Sequence, residues 1–163
     1  MPGYWLIIKV VDLKTRQPVG PNERGEICLK SQSATPGFLS VQNDEFYDDE
    51  GFYKTGDVGY YDEDRYFYIV DRIKYLIKYR DISIAPAEFE SILLEHPSVK
   101  EVGVVGAPRA DCGEAPIAFV VLLPGTIVMA EELVQFLESR ITSLMKLAGG
   151  VRFVQKLPRG AEG

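Results

Sequence analysis

The hydrophobic period of this chain changes once, near residue 71, and that change limits what the sequence can fold into. Up to Val70 the apolar residues come in short runs, rich in β-branched and aromatic side chains and cut by Gly and Pro. Residues 5–11, Trp-Leu-Ile-Ile-Lys-Val-Val, predict a strand that ends in the turn signals of 12–20. From Glu26 to Lys30 polar and apolar residues alternate, which puts Ile27 and Leu29 on one face of a half-buried strand paired with the first. The polar stretch 31–51, interrupted by Pro36 and Gly37, reads as loop with at most a short helical turn, and its acidic string Asp48-Asp49-Glu50 as solvated. Aromatic runs on either side of Asp62-Glu63-Asp64-Arg65 predict a hairpin that ends at Val70.

Beyond Val70 helical spacing appears between the β segments. Pro86 suits the first turn of a helix, and Phe89, Ile92 and Leu93 make one apolar stripe before His96-Pro97 stops it. Strands are predicted over 99–106 and 116–123. A second helix starts near Ala130 and carries Leu133, Phe136, Leu137, Ile141, Leu144 and Met145 to a left-handed exit at Gly149-Gly150, with a short strand at 151–154. The predicted fold class is α+β, a β-rich N-terminal piece followed by a small α+β unit.

Composition narrows the function. With 24 acidic and 18 basic residues the formal charge is −6, which repels nucleic-acid backbones and anionic lipid. No apolar run reaches the roughly 18 to 20 residues of a membrane-spanning helix. Cys28 and Cys112 stand far apart and His96 is the single histidine, so neither a disulfide framework nor a zinc site is expected and both cysteines read as plain thiols. His96, at a helix end before a proline, reads as a terminal or surface residue. Phe46 and Tyr47 break the alternation of oxygen ligands that a calcium loop around Asp48 would need. Arg72, Lys74, Lys78 and Arg80 would share one face if a single strand ran through them. Phosphate-loop, nucleophile-elbow and dinucleotide fingerprints do not occur.

The order of several segments adds to this reading. Thr55-Gly56-Asp57 is followed by Asp62-Glu63-Asp64-Arg65-Tyr66, then by Ile69-Val70-Asp71-Arg72-Ile73-Lys74-Tyr75-Leu76-Ile77-Lys78, then by Ala85-Pro86-Ala87-Glu88. With Gly113-Glu114-Ala115-Pro116 and Leu147-Ala148-Gly149-Gly150 further on, the chain from about Tyr4 to Gly163 resembles the C-terminal part of the adenylate-forming ligases. The luciferase-like and 4-coumarate–CoA-ligase-like branch is the most similar.

The resemblance implies an organisation and a chemistry. Residues 1–71 would be the end of the large domain, a distorted β-barrel portion, 72–74 a hinge, and 75–163 a lid. In such ligases a carboxylate attacks ATP to give an acyl-adenylate, which then passes to coenzyme A; luciferases oxidise the adenylate instead. The resemblance assigns Asp57 and Arg72 to the ribose hydroxyls of ATP or AMP, Lys74 to the pivot and Lys78 to catalysis of the second step. A carboxylate accepts both hydroxyl protons and a guanidinium donates in a fixed fork, which suits that task. ATP, coenzyme A, Mg2+ and a small carboxylic acid are the implied cofactors and partners of the complete enzyme, together with the missing N-terminal subdomains. An intracellular location, peroxisomal or cytoplasmic, is also implied, although Ala161-Glu162-Gly163 is not a peroxisomal signal.

Three departures modify the picture. Asp81 stands where the family has a glycine near the thiol's approach, adding bulk and negative charge there. The sequence Pro158-Arg159-Gly160-Ala161-Glu162-Gly163 stops one residue before the family's catalytic lysine. The phosphate loop and acyl pocket are also outside the sequence, so the chain by itself is expected to be inactive in the overall reaction. Tyr75 and Arg65 differ from the residues common in relatives without a functional reading. The alternative is a non-catalytic nucleotide-sensing or protein-interaction module that keeps the fold.

Overall fold

A computed structural model describes residues 5–33 and 46–158, which form two compact units dividing between Lys74 and Tyr75. The first is a four-stranded antiparallel meander, β1 (Leu6–Val11), β2 (Gly25–Ser31), β3 (Tyr53–Tyr61) and β4 (Phe67–Arg72), in that spatial order. β1 and β4 are the two edges, so the barrel portion expected for this piece is an open sheet among the described residues. Val10 pairs with Ile27 and Ile8 with Leu29, which gives the predicted common face. The other face is not the polar one that alternation implied: Cys28 is fully buried and Glu26 is only 4% exposed. Cross-strand aromatic pairs, Tyr60 on Tyr68 and Tyr61 on Phe67, clamp the hairpin of β3 and β4 with ring centroids 5.0 and 5.6 Å apart.

Asp48 of the acidic string is docked rather than solvated. The Lys9 ammonium lies 2.7 Å from Asp48 Oδ2, 3.0 Å from Glu50 Oε2 and 4.1 Å from the centre of the Phe52 ring, while the Asp48 Oδ1 accepts the amides of Glu50 and Phe52. Burial pushes the Asp48 carboxyl up, but the bonds from Lys9 and these amides outweigh it and hold its pKa below the ordinary value. Asp49 and Glu50 themselves stay exposed. Most of the predicted loop, residues 34–45, lies outside the described residues, as do 159–163 with the stretch expected to precede the catalytic lysine.

The second unit has a sheet ordered β6 (Ile82–Ile84), β5 (Ile77–Tyr79), β8 (Gly113–Leu122), β7 (Val99–Arg109), with β9 (Gly150–Phe153) parallel to β8 on the side that β5 occupies further back. Helix α1 (Pro86–Leu94) lies against β7, and α2 (Ala130–Glu138) against β9 and α1. Phe89 and Leu93 of α1 and Leu133 and Leu137 of α2 are fully buried, which is the predicted stripe at work. Helix α2 ends earlier than its spacing implied. The Ser139 hydroxyl and the Arg140 guanidinium both donate to the carbonyl of Phe136, at 2.9 Å each, and so capture an acceptor that another helical turn would need. Ile141 and Met145 reach the core from the irregular backbone that follows.

Two further corrections follow from local geometry. The strand through Arg72 to Arg80 is broken by a 3-10 turn at Ile73–Tyr75, so the four basic residues do not share one strand face. His96 does stand at the end of α1 but is buried: its Nδ1 accepts the Ser98 amide at 3.2 Å and its ring meets Phe136 edge to face. Three hairpin turns each place an arginine in the left-handed region, Arg16 (φ 61°), Arg65 (φ 65°) and Arg80 (φ 52°).

The β7–β8 turn carries an acid-sensitive tie. Arg109 donates from Nε and Nη2 to the two oxygens of Asp111, at 2.8 and 2.7 Å, and from Nη1 to the Ala148 carbonyl. This fork holds the Asp111 carboxyl down at about 2. A carboxyl depressed on folding stabilises the protein above its unfolded pKa, about 3.9, and loses that contribution as pH falls towards the folded value. The difference in thermal midpoint between the native chain and Asp111→Asn is therefore expected to be full at neutral pH and to vanish between pH about 4 and 2, as a pH series of melts would read.

Candidate functional site

The Thr55-Gly56-Asp57 motif sits where the β2–β3 ladder breaks. Cys28 faces Lys54 and Glu26 faces Val58, so three residues of β3, 55 to 57, stand opposite Ile27 alone. Such a bulge removes regular backbone partners, and side chains replace them. The Thr55 hydroxyl donates to the Ile27 carbonyl at 2.7 Å and accepts the Asp57 amide at 3.0 Å, while Glu26 Oε1 accepts the Gly56 amide at 3.0 Å. Gly56 takes a left-handed φ of 72° that a side chain would strain.

A second irregularity adjoins it. Gly59 pairs with Ile69 and Val58 with Asp71, which leaves Val70 as an extra residue on β4 and brings Arg72 directly opposite Asp57. Arg72 Nε lies 3.1 Å from Asp57 Oδ1, and Arg72 Nη2 donates to the Thr55 carbonyl at 2.9 Å. The Arg72 side chain is 52% exposed and that of Asp57 28%, so both remain within reach of a solute. The β3–β4 hairpin thus presents a carboxylate and a guanidinium side by side, one accepting and one donating.

The other two predicted residues lie elsewhere in the chain. Lys74 is in the 3-10 turn that follows β4. Lys78 is on β5 with an exposed side chain, and its amide donates to Glu114 Oε2 at 2.7 Å. Asp81 is exposed in the two-residue turn after β5, beside the left-handed Arg80. Sequence reasoning missed Glu26 and Glu114, because alternation or proximity to a glycine gave no hint that their carboxylates accept backbone amides.

Comparison with known proteins decides the family. Residues 88–163 match the model of the AMP-binding enzyme C-terminal domain. The chain is 46% identical over 158 residues to luciferin 4-monooxygenase of Luciola mingrelica, covering 96% of this chain and 29% of that protein. It is 39% identical over 160 residues to 4-coumarate–CoA ligase-like 1 of Arabidopsis thaliana, again covering 97% of this chain and 29% of the relative. Among solved structures, ATP-bound MatB of Rhodopseudomonas palustris superposes with a TM-score of 0.85 at 30% identity, over 97% of this chain and 32% of that one.

The chain belongs to the adenylate-forming, AMP-binding superfamily. A further adenylate-forming neighbour, o-succinylbenzoate–CoA synthetase of Bacillus subtilis in complex with AMP, superposes with a TM-score of 0.78 at 33% identity, over 96% of this chain and 31% of that one. The chain thus spans a little under a third of the length of these adenylate-forming relatives.

Proposed function

We propose that this chain is the nucleotide-ribose-holding and lid-forming part of an ATP-dependent carboxylate–CoA ligase or luciferase-like enzyme. The Asp57–Arg72 pair carries the reading: two short-range irregularities in one hairpin set a carboxylate opposite a guanidinium, both accessible. Asp57 accepts the two ribose hydroxyl protons, and Arg72 fixes the carboxylate while donating towards the same sugar. In the complete enzyme a carboxylate oxygen bonds to the α-phosphorus of ATP and pyrophosphate leaves. The thiol of coenzyme A then loses its proton, its sulfur bonds to the acyl carbon and AMP leaves; in the luciferase-like alternative molecular oxygen oxidises the adenylate. Magnesium accompanies the ATP phosphates, and no residue of this chain is assigned to it. Lys74 serves as the pivot between the two half-reactions, and Lys78 acts in the second. The compartment, peroxisomal or cytoplasmic, rests on the family resemblance alone.

The test is titration of the 15N-labelled chain with AMP and with its 2′,3′-dideoxy analogue. AMP is expected to shift the amides of residues 55–58 and 71–74, and to bind at least about 10-fold more tightly than the analogue, which lacks both of the hydroxyls that Asp57 would accept. Asp57→Ala is expected to abolish that preference. Equal affinity for the two nucleotides would overturn the ribose assignment and favour a protein-interaction module.

A further inference from the structure

Among the described residues of the first unit the Glu26 carboxylate is the one buried acid, only 4% exposed, and the ribose reading does not use it. Its two oxygens have different tasks. Oε2 receives the Arg16 guanidinium at 2.6 Å, and Oε1 accepts the Gly56 amide at 3.0 Å. A buried carboxylate persists only when its charge is balanced and its lone pairs are filled, and here one partner supplies charge while the other is the middle residue of the bulge. Arg16 supports this arrangement at a cost to its own backbone. It sits in the left-handed region, which disfavours any residue with a Cβ, and its side chain crosses from the β1–β2 turn to reach Glu26.

We infer that Glu26, balanced by Arg16, is a positioning residue that holds the Thr55–Asp57 bulge in the shape required to present Asp57 and Arg72 to the ribose hydroxyls. This rests on the ribose reading given above. The reasoning is one of accounting for backbone groups. A three-against-one bulge takes the Gly56 amide out of the ladder, and an amide without an acceptor would turn towards water and carry Asp57 with it. The Glu26 oxygen replaces the missing ladder acceptor. The Gly56 amide and the Thr55 carbonyl belong to one planar peptide group, so with the amide tied to Glu26 and the carbonyl to Arg72 Nη2 that peptide is held on both sides. Ion pair and bulge are thereby coupled: Arg16 to Glu26, Glu26 to Gly56, Thr55 to Arg72, Arg72 to Asp57.

The experiment compares the native chain with Glu26→Ala and Glu26→Gln. The glutamine keeps a side-chain oxygen for the Gly56 amide and leaves Arg16, which is partly exposed, to water. Glu26→Ala is expected to speed hydrogen exchange at the Gly56 amide and to lower the preference for AMP over its 2′,3′-dideoxy analogue by about 10-fold, while Glu26→Gln stays within about twofold of the native chain on both readouts. A purely structural role would lower thermal stability in both variants without changing the ribose preference of folded protein. A folded Glu26→Ala chain with native Gly56 exchange and native preference overturns the inference. Should Glu26→Ala fail to fold, the native chain still decides: a scalar coupling through the hydrogen bond from the Gly56 nitrogen to the Glu26 carboxyl carbon supports the positioning contact, and its absence overturns it. If the native chain shows no ribose preference, the ribose reading falls and takes this role for Glu26 with it, even where Gly56 exchange shows that the contact exists.

Discussion

Replacing Phe89 by alanine is expected to destabilise the C-terminal unit by about 3–5 kcal/mol, the largest effect of any single change considered, because a fully buried ring leaves both its transfer energy and a cavity behind. Phe89 projects from the helix that lies against β7, into a core it shares with Leu93, Leu133 and Leu137. None of these residues belongs to the unit that ends at Lys74. The loss should therefore appear as a lowered transition for residues 75–158 while the amides of the β1–β4 sheet melt as before. Residue-resolved hydrogen exchange across a thermal series reads the two units separately; a single shared transition lowered as a whole would show that they unfold as one.

Gly59→Ala is the second large effect, and it acts on the candidate site. A Cβ at residue 59 would press on the Tyr68 carbonyl and stand 2.6 Å from Ile27 Cδ1. The carbonyl belongs to the partner strand and cannot rotate away, so β3 and β4 must separate, at a cost of about 1–3 kcal/mol or more. Their separation occurs two residues from Asp57 and on the hairpin that delivers Arg72. The expected outcome is a lowered melting temperature for the first unit together with a reduced preference for AMP over its dideoxy analogue. Retention of both in a folded Gly59→Ala chain would mean that Ile27 and the hairpin can give way without moving the pair.

These effects separate what the amino-acid sequence made legible from what it did not. The two helices start where Pro86 and Ala130 place them, because a proline in the first turn of one, acidic residues in the first turn of both and a continuous apolar stripe act within a few residues; neither N-cap residue, Ala85 or Met129, adds a side-chain bond. Helix α2 then stopped short of its apolar spacing, since two neighbouring side chains compete for one carbonyl and periodicity does not register that competition. In the first unit the strands of Val10, Ile27 and the aromatic hairpin are readable from an apolar run, an alternation and aromatic runs in turn. The burial of Glu26 is not, because it depends on a turn arginine ten residues earlier and on a bulge thirty residues later. The same holds for Asp48, whose docking needs Lys9 from the opposite end of the sheet's sequence. Asp57 and Arg72 were nameable from the order of motifs, but the reason they meet is a pair of register shifts, which only the paired strands reveal.

The arginines at the turn tips have a consequence for the lifetime of the chain. Exposed turns are where proteases cut, and a trypsin-like enzyme requires a basic residue at the scissile bond. Arg65 offers one in an exposed turn, whereas the Arg80 amide is tied to the Cys112 carbonyl at 2.7 Å and Arg16 has its guanidinium committed to a buried acid. A cut after Arg65 would leave Asp57 and Arg72 on separate polypeptides, held together by the ladder between β3 and β4 and the side-chain contacts across it. Proteolytic processing at that one bond would thus convert a covalent clamp into an assembly of two fragments, whose grip on a nucleotide would depend on strand pairing and no longer on chain connectivity.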